Sequence, residues 1–444
     1  MLALFATARA QAHADAIHPS NRANESATVR HMGLVQATRA AVEWHPTVRT
    51  AAQEVLQAGE GIAAARSGYY PQVRGGIGSQ LSNGKIGSYD SRRVSTAEVS
   101  VSQMLYDFGK VESAVGQAQA SVAASKAQVL VSVDDVARDT ALAWLEVRRQ
   151  KALGVTAHNQ ISGIQKLADL VTERERKGAV SRSDVAQAQS RVEAARAQQL
   201  NIHAQHARWQ SNLMQLTGSR LPIDISDDPL SALDNACRVL VDDSAFQPPA
   251  VQLARARRAM AEANLRTADA QLLPTISLDG SVGRGIDARS RLPGERGVAA
   301  TVGVNFSMPL YEGGGNQARQ RAAVHAVNAA EAALDQALLG VRQSLDDARA
   351  QSRGQAQRLP VLAARVRSIL DTRNLYQEQY LQLGSRSVLD LLNAEQEYHA
   401  ARFEEIESEH EMRRLSIHCL YHSNRLRQTL ALDEPGFAMQ GSEQ

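Results

Sequence analysis

The chain has 444 residues, with 49 Lys and Arg against 47 Asp and Glu, a balance that gives no electrostatic reason to expect nucleic acid or a strongly acidic partner. Aromatics are only 4%, low for a globular core, while Ala is by far the commonest residue, which suits long helices packed closely together. No run approaches the roughly 20 apolar residues of a spanning helix, so a membrane crossing would have to be a closed β-barrel, because lipid offers no partner to an open sheet edge.

Residues 1–14 read as the remnant of a secretory signal. Leu2, Ala3, Leu4 and Phe5 resemble the end of an apolar segment, and Ala8-Arg9-Ala10 and Ala10-Gln11-Ala12 resemble small-residue cleavage sites. The apolar stretch is short and no basic residue precedes it, so the expectation is a start lying inside a longer signal. A disordered soluble tail is the alternative.

The rest of the chain is written twice, residues 15–217 and 248–430 forming two repeats. His45-Pro46-Thr47-Val48 lines up with Pro248-Pro249-Ala250-Val251, and Tyr70-Pro71 with Leu273-Pro274. Leu105-Tyr106-Asp107 matches Leu310-Tyr311-Glu312, and Gly178 and Asp184 match Gly384 and Asp390. The offset drifts only from 203 to 206 residues along the way. Each half predicts a helix, two strands, a very long helix, a turn and a return helix.

The strands fall at about 69–108 and 274–311. Val73, Gly75, Ile77, Ser79 and Leu81 alternate with Gln72, Arg74, Gly76, Gly78 and Gln80, and Val302, Val304, Phe306 and Met308 alternate with Thr301, Gly303, Asn305 and Ser307. This period of two gives one apolar and one small, polar face, as a barrel with lipid outside and water inside requires. Gly/Ser/Arg-rich loops at Asn83 to Arg93 and Asp287 to Gly297 join the strands of each pair. Tyr69, Tyr70, Tyr89, Tyr106, Phe108, Phe306 and Tyr311 flank or occupy the strands, matching the enrichment of rings at membrane interfaces. A pair of soluble hairpins is the alternative.

The first long helix, about 110–175, has no proline and would reach roughly 100 Å. Its second copy, about 316–383, carries Pro360, which predicts a kink or local break. Return helices at about 184–217 and 388–428 carry seams such as Val185, Ala188, Val192 and Ala195, and Leu391, Ala394, Tyr398 and Ala401. A 3.5-residue period predicts left-handed supercoiling. Residues 218–247 read as an irregular linker and 431–444 as a flexible tail. Two lone cysteines, Cys237 and Cys419, are more often buried or free than paired, so separate thiols are the expectation, with a bond between them left open.

His203 and His206, and His418 and His422, have spacings that could hold zinc, but no Cys or acid set completes a site, and no metal is expected. Gly313-Gly314-Gly315 is followed by no Lys-Ser or Lys-Thr, so it is no nucleotide loop, and no nucleophile–base motif stands out. Neither a cofactor nor catalysis is expected.

Four strands cannot close a barrel, and membrane barrels begin at eight. A dimer would reach eight, but such a barrel is filled by its own side chains. A homotrimer reaches twelve and leaves a lumen, and the repeat gives three chains nearly six-fold symmetry. The expected fold is therefore membrane α+β: a trimeric 12-stranded transmembrane β-barrel continued by a long α-helical coiled-coil barrel.

The strand entries at Pro71 and Pro274, the exits Leu105-Tyr106-Asp107-Phe108-Gly109 and Pro309-Leu310-Tyr311-Glu312-Gly313-Gly314, and the turns from Gly178 to Val185 and from Gly384 to Leu391 together resemble the TolC family of outer-membrane channels. The resemblance spans roughly Arg30 to Leu430. It implies outer-membrane lipid around the barrel, helices projecting into the periplasm, and tips at Gly178 and Gly384 that close like an iris. It also implies an aperture lined by Asp184, Asp390 and Asn393, and a latch from Arg386 to Ser183 and Asp184. The family's aromatic latch position falls on Leu381, beside Tyr380. Asp184 and Asp390 also stand where acids favour a helix N-terminus, so capping and aperture lining both remain open. Implied partners are a periplasmic adaptor and an inner-membrane ABC transporter. The expected cargo is protein delivered by type I secretion, such as a calcium-binding repeat toxin, because many multidrug members carry an N-terminal lipidated cysteine and none stands among the first residues of this sequence. Multidrug efflux is the alternative, and a coiled-coil scaffold or adaptor is the alternative of a different class.

Overall fold

The proline-free, Ala-rich run beginning at Lys110 has nothing to interrupt a helix, and it forms one of 67 residues. The computed structural model describes residues 30–81, 93–226, 230–239, 247–286 and 298–432. The signal-like segment, Tyr89, most of the two strand-joining loops, part of the linker and all but two residues of the tail lie outside these. In chain order the elements are β1 (Arg30–Met32), α1 (Leu34–Trp44), α2 (Pro46–Arg66), β2 (Gln72–Leu81), β3 (Arg93–Tyr106), α3 (Lys110–Arg176) and α4 (Arg182–Thr217). Then come β4 (Ile223–Ile225), α5 (Pro249–Ala270), β5 (Thr275–Gly285), β6 (Val298–Ser307), α6 (Gly315–Glu378), α7 (Val388–His422) and α8 (Leu426–Thr429). The order helix, strand, strand, long helix, return helix occurs twice, and no described helix is long and apolar enough to cross a membrane.

The four long strands form one antiparallel sheet in the order β2-β3-β5-β6. Below it the helices make a layer whose neighbours are α2–α3–α5–α6, and further from the sheet α4–α3–α7–α6. The strand-to-helix corner is set locally. Asp107 accepts hydrogen bonds from the amides of Gly109 at 3.0 Å and Val111 at 2.6 Å, capping α3. Gly109 has φ +90°, a left-handed value that a side chain would resist. Between Met104 and Tyr106 the register against β5 slips by one residue, a bulge at the strand exit.

The main core lies where the helices meet the linker. Trp144 is fully buried there among Val48, Leu145, Leu213, Ile223, Ile417, Leu420 and Leu426, and its indole N–H donates to the Met32 carbonyl at 3.0 Å. β1 and β4 pair in parallel beside it. These two strands were not expected from sequence, since three residues are too few to show a period. The linker is therefore less irregular than expected. Gly218 ends α4 at φ +67°, with the Trp44 ring 2.3 Å from where a Cβ would stand.

Three expectations need correction. Cys237 and Cys419 are joined in a disulfide that ties the linker to α7; they are far apart in sequence, and only the fold brings them together. Of the kink or local break expected at Pro360, the break does not occur, and α6 runs from Gly315 to Glu378 without interruption. Pro360 and Ala356 lie on the exposed side, where water can take the carbonyl that lost its donor, and Arg358 and Arg365 bracket the proline and both grip Glu404 of α7. Finally, the second return helix ends at His422 rather than near 428, because Asn424 turns left-handed at φ +61° before α8 begins.

Candidate functional site

Two regions stand out: the faces and edges of the sheet, and the helix tips. The strand register aligns the period-two pattern across all four strands. Val73 stands opposite Val101, Val101 opposite Gly280, and Gly280 opposite Val302; the next row is Gly75, Val99, Val282 and Ala300. A one-residue slip in any strand would break these rows. The apolar face is open, Val302 being 81% and Ile77 79% exposed. Such exposure is unfavourable in water.

The opposite face is polar. Its rows include Gln72, Ser102, Asp279 and Gly303, and Arg74, Ser100, Ser281 and Thr301. Asp279 accepts from the hydroxyls of Ser102 and Ser277, and Ser281 and Thr301 share a hydrogen bond of 2.9 Å. Among the described residues nothing pairs with the outer side of β2 or of β6, the two edges of the sheet.

At the other end the repeat produces two matching turns. Gly178 and Gly384 adopt φ +72° and +62°. Three residues later Ser181 and Ser387 cap α4 and α7, and three further on Asp184 and Asp390 complete the capping boxes. The Ser387 amide donates to Asp390 at 3.1 Å, and the Asp390 amide donates to the Ser387 hydroxyl at 3.1 Å. The Ser387 amide and hydroxyl hold the Asp390 carboxyl below the usual carboxylate range. Each such box gives partners to backbone amides that the first helical turn leaves unpaired. Sequence reading passed over the two serines as functional positions, although Ser-x-x-Asp before an apolar run is a recognisable helix start.

The expected aperture and latch residues are thus at the tips. Asp390 and the exposed Asn393 are three apart on one face of α7. Ser183 shares a hydrogen bond of 2.6 Å with Ser181. Within the chain Arg386 does not reach Ser183 or Asp184. It donates to Gln379 at 3.0 Å and lies 4.2 Å from the Tyr376 ring centroid. Leu381 is exposed, and it is the neighbouring Tyr380 that packs between the two hairpins. It is buried among Ile164, Val171, Ala188 and Leu392, with the Arg174 guanidinium 4.1 Å from its ring centroid. A π-helical turn, Gln379–Leu383, places it there.

His418 and His422 stack with ring centroids 6.3 Å apart. Burial and the neighbouring Arg414 lower His418, and burial, then His418 and Arg138, push His422 down to about 4. These are neutral imidazoles beside arginines, a poor setting for a cation.

The profile of the family described as outer membrane efflux protein matches residues 38–219 and 240–417. The outer membrane efflux protein BepC of Brucella suis is 25% identical over 359 residues, covering 80% of this chain and 76% of its own. Protein CyaE of Bordetella pertussis is 26% identical over 316 residues, covering 69% and 66%. The crystal structure of a membrane protein from Pseudomonas aeruginosa shares the fold, with a TM-score of 0.76 at 20% identity over 88% of this chain and 93% of that one.

Proposed function

The chain belongs to the outer membrane efflux protein family and resides in the outer membrane with a periplasmic extension, and from that premise we propose that three copies close one barrel and one helical tube, forming the exit duct of a tripartite export system. One observation carries the reading: a sheet with one apolar and one polar face ends in two unpaired edges, directly above a helical layer that is likewise open at both sides. An unpaired edge has no partner in lipid. Copies joining β6 to β2 remove every edge, turn the row from Val73 to Val302 outward and the row from Arg74 to Thr301 inward. Twelve strands leave a lumen that eight do not, and α3, of 67 residues, carries the same wall roughly 100 Å further.

Channels of this family work with periplasmic adaptors and inner-membrane transporters. The tips at Gly178 and Gly384 form the end facing those partners, with Asp184, Asp390 and Asn393 around the aperture. Arg386 latches to Ser183 and Asp184 of a neighbouring hairpin when the ring closes, exchanging its contact with Gln379 for theirs. The cargo reading is the one the sequence resemblance implies, a protein delivered by an ABC transporter through the adaptor. Drug efflux is the second reading, favoured by the efflux protein BepC among the relatives.

The test is extraction of the full chain from outer membranes, followed by mass measurement, gel migration with and without heating, and planar-bilayer recording. A heat-dissociable trimer with a discrete conductance is expected. A monomeric, detergent-independent particle refutes the duct. Comparing secreted protein and drug sensitivity in a strain lacking the gene separates the two cargo readings.

A further inference from the structure

Outside the tips, one buried charged group sits in the seam between the two hairpins with no role assigned above. Glu395 of α7 is 6% exposed. One of its carboxylate oxygens hydrogen-bonds to His399, one turn on, at 3.0 Å, and the other is 3.6 Å from Nε of Arg373 on α6. His399 is itself buried, with Nδ1 unpartnered, and the Arg373 guanidinium lies 4.5 Å from the centroid of the Tyr398 ring. The carboxylate needs space inside the seam, and α3 provides it at Gly163. A Cβ there would stand 2.0 Å from Oε1 and 3.0 Å from Cδ of Glu395. Glycine in the middle of a 67-residue helix weakens it relative to alanine, so its place is explained by what it admits. The side chain of one hairpin thereby keys into a hole in the other.

We propose that Gly163 and Glu395 form an intrachain lock that holds the α6–α7 hairpin against the α3–α4 hairpin and so positions the tips in their closed ring. This rests on the reading of the tips as a gate. Widening a ring of hairpins requires neighbouring hairpins to slide, and here sliding must lift a charged group out of its hole and away from Arg373. A packed seam of this kind has discrete arrangements rather than a continuum.

Full-length trimers are recorded in planar bilayers as wild type, Gly163→Ala, Glu395→Gln and the double variant Gly163→Ala with Glu395→Asp. Gly163→Ala puts a methyl where the carboxylate sits and raises the open fraction on the order of tenfold. Glu395→Gln keeps the shape but removes the charge facing Arg373, and it opens the channel in the same direction. The shorter Asp vacates the room the methyl takes, so the double variant moves back toward wild type. The temperature at which trimers dissociate on gels, governed by the barrel and the Trp144 core, stays as in wild type. If wild type opens and closes while Gly163→Ala and Glu395→Gln behave identically to it, the lock is overturned and the gate stands. A rise in conductance that only tracks a fall in dissociation temperature also overturns the lock, as general loosening. If wild type forms no channel, the duct fails and the lock with it. Should Gly163→Ala not assemble, the isosteric Glu395→Gln decides alone.

Discussion

Removing the disulfide should loosen the linker from the helical wall. The bond joins Cys237 and Cys419 across 182 residues, and the chain-entropy cost of closing so long a loop in the unfolded state has a ceiling of about 5 kcal/mol. Part of that is not realised, because both ends are held by other contacts. Cys419 is fully buried against Leu345, Ala348 and Leu415, and beside Cys237 the Val239 carbonyl accepts from Arg349 at 2.9 Å. The net contribution expected is therefore about 2–4 kcal/mol. Replacing both cysteines with alanine adds only a small packing loss. The assay is thermal loss of the helical circular-dichroism signal in detergent, for wild type with and without reductant and for the double variant. Reduced wild type and the variant should unfold together and earlier than oxidised wild type, with protease cutting the 230–239 segment first. Identical unfolding of oxidised and reduced wild type would refute the reasoning, as would alkylation of both thiols before reduction.

Changing Asp184→Ala together with Arg386→Ala removes the latch pair and should raise single-channel conductance in planar bilayers; the Ser181 cap on α4 survives, since it holds the backbone amide of residue 184, so the trimer stays intact, and unchanged conductance defeats the latch. His418 and His422 are depressed, so the unfolded chain binds more protons than the folded one between about 6.5 and about 4. Stability is full above that window and falls as pH drops through it, by on the order of 1–2 kcal/mol after allowing for screening by solvent; melting followed from pH 7.5 to 5 should show the loss, and His422→Gln should flatten it. Val302→Arg sets a cation on the proposed lipid face, costing about 2–4 kcal/mol near mid-membrane, whereas Thr301→Arg next door faces the lumen; trimer yield should fall only for the first, and equal effects would reverse or abolish the two faces.

The sequence alone made the long elements legible because each had many residues in which to show its period. The strands at Gln72–Leu81 and Val298–Ser307 and the helix from Lys110 lie where alternation and the absence of proline put them. What escaped were features that depend on distant parts of the chain. β1 and β4 are three residues each and exist because they pair with one another. The disulfide depends on the linker folding back onto α7. Pro360 is tolerated because Glu404 grips α6 on both sides of it. At the tips the sequence carries a helix-start signal as well as the implied aperture: the serines that start α4 and α7 explain why Gly178 and Gly384 are followed by an acid at the same spacing.

Capping and gating are not competing accounts of Asp184 and Asp390. A capping box fixes the carboxylate against its own helix end, so at the proposed aperture the charge would be held by the backbone rather than carried on a free side chain, and a ring built from such groups would move only when whole hairpins move. The two halves then differ where movement matters. At the repeat offset, Gly163 corresponds to Ile369 and Glu395 to Gln189. In the proposed trimer α6 of one copy meets α4 of the next, so the seam between copies carries Ile369 and Gln189, without the hole or the buried charge. Near-six-fold symmetry in the proposed barrel would thus become three-fold in the helical tube, with keyed seams inside each chain alternating with plain ones between chains. If the lock holds, opening begins at the plain seams, and each chain's two hairpins should swing first as a unit before they slide past one another. A cysteine pair joining α6 to the neighbouring α4 should therefore block conductance more completely than a pair joining α3 to α7. The reverse order would place the first movement inside the chain and remove any role for Gly163.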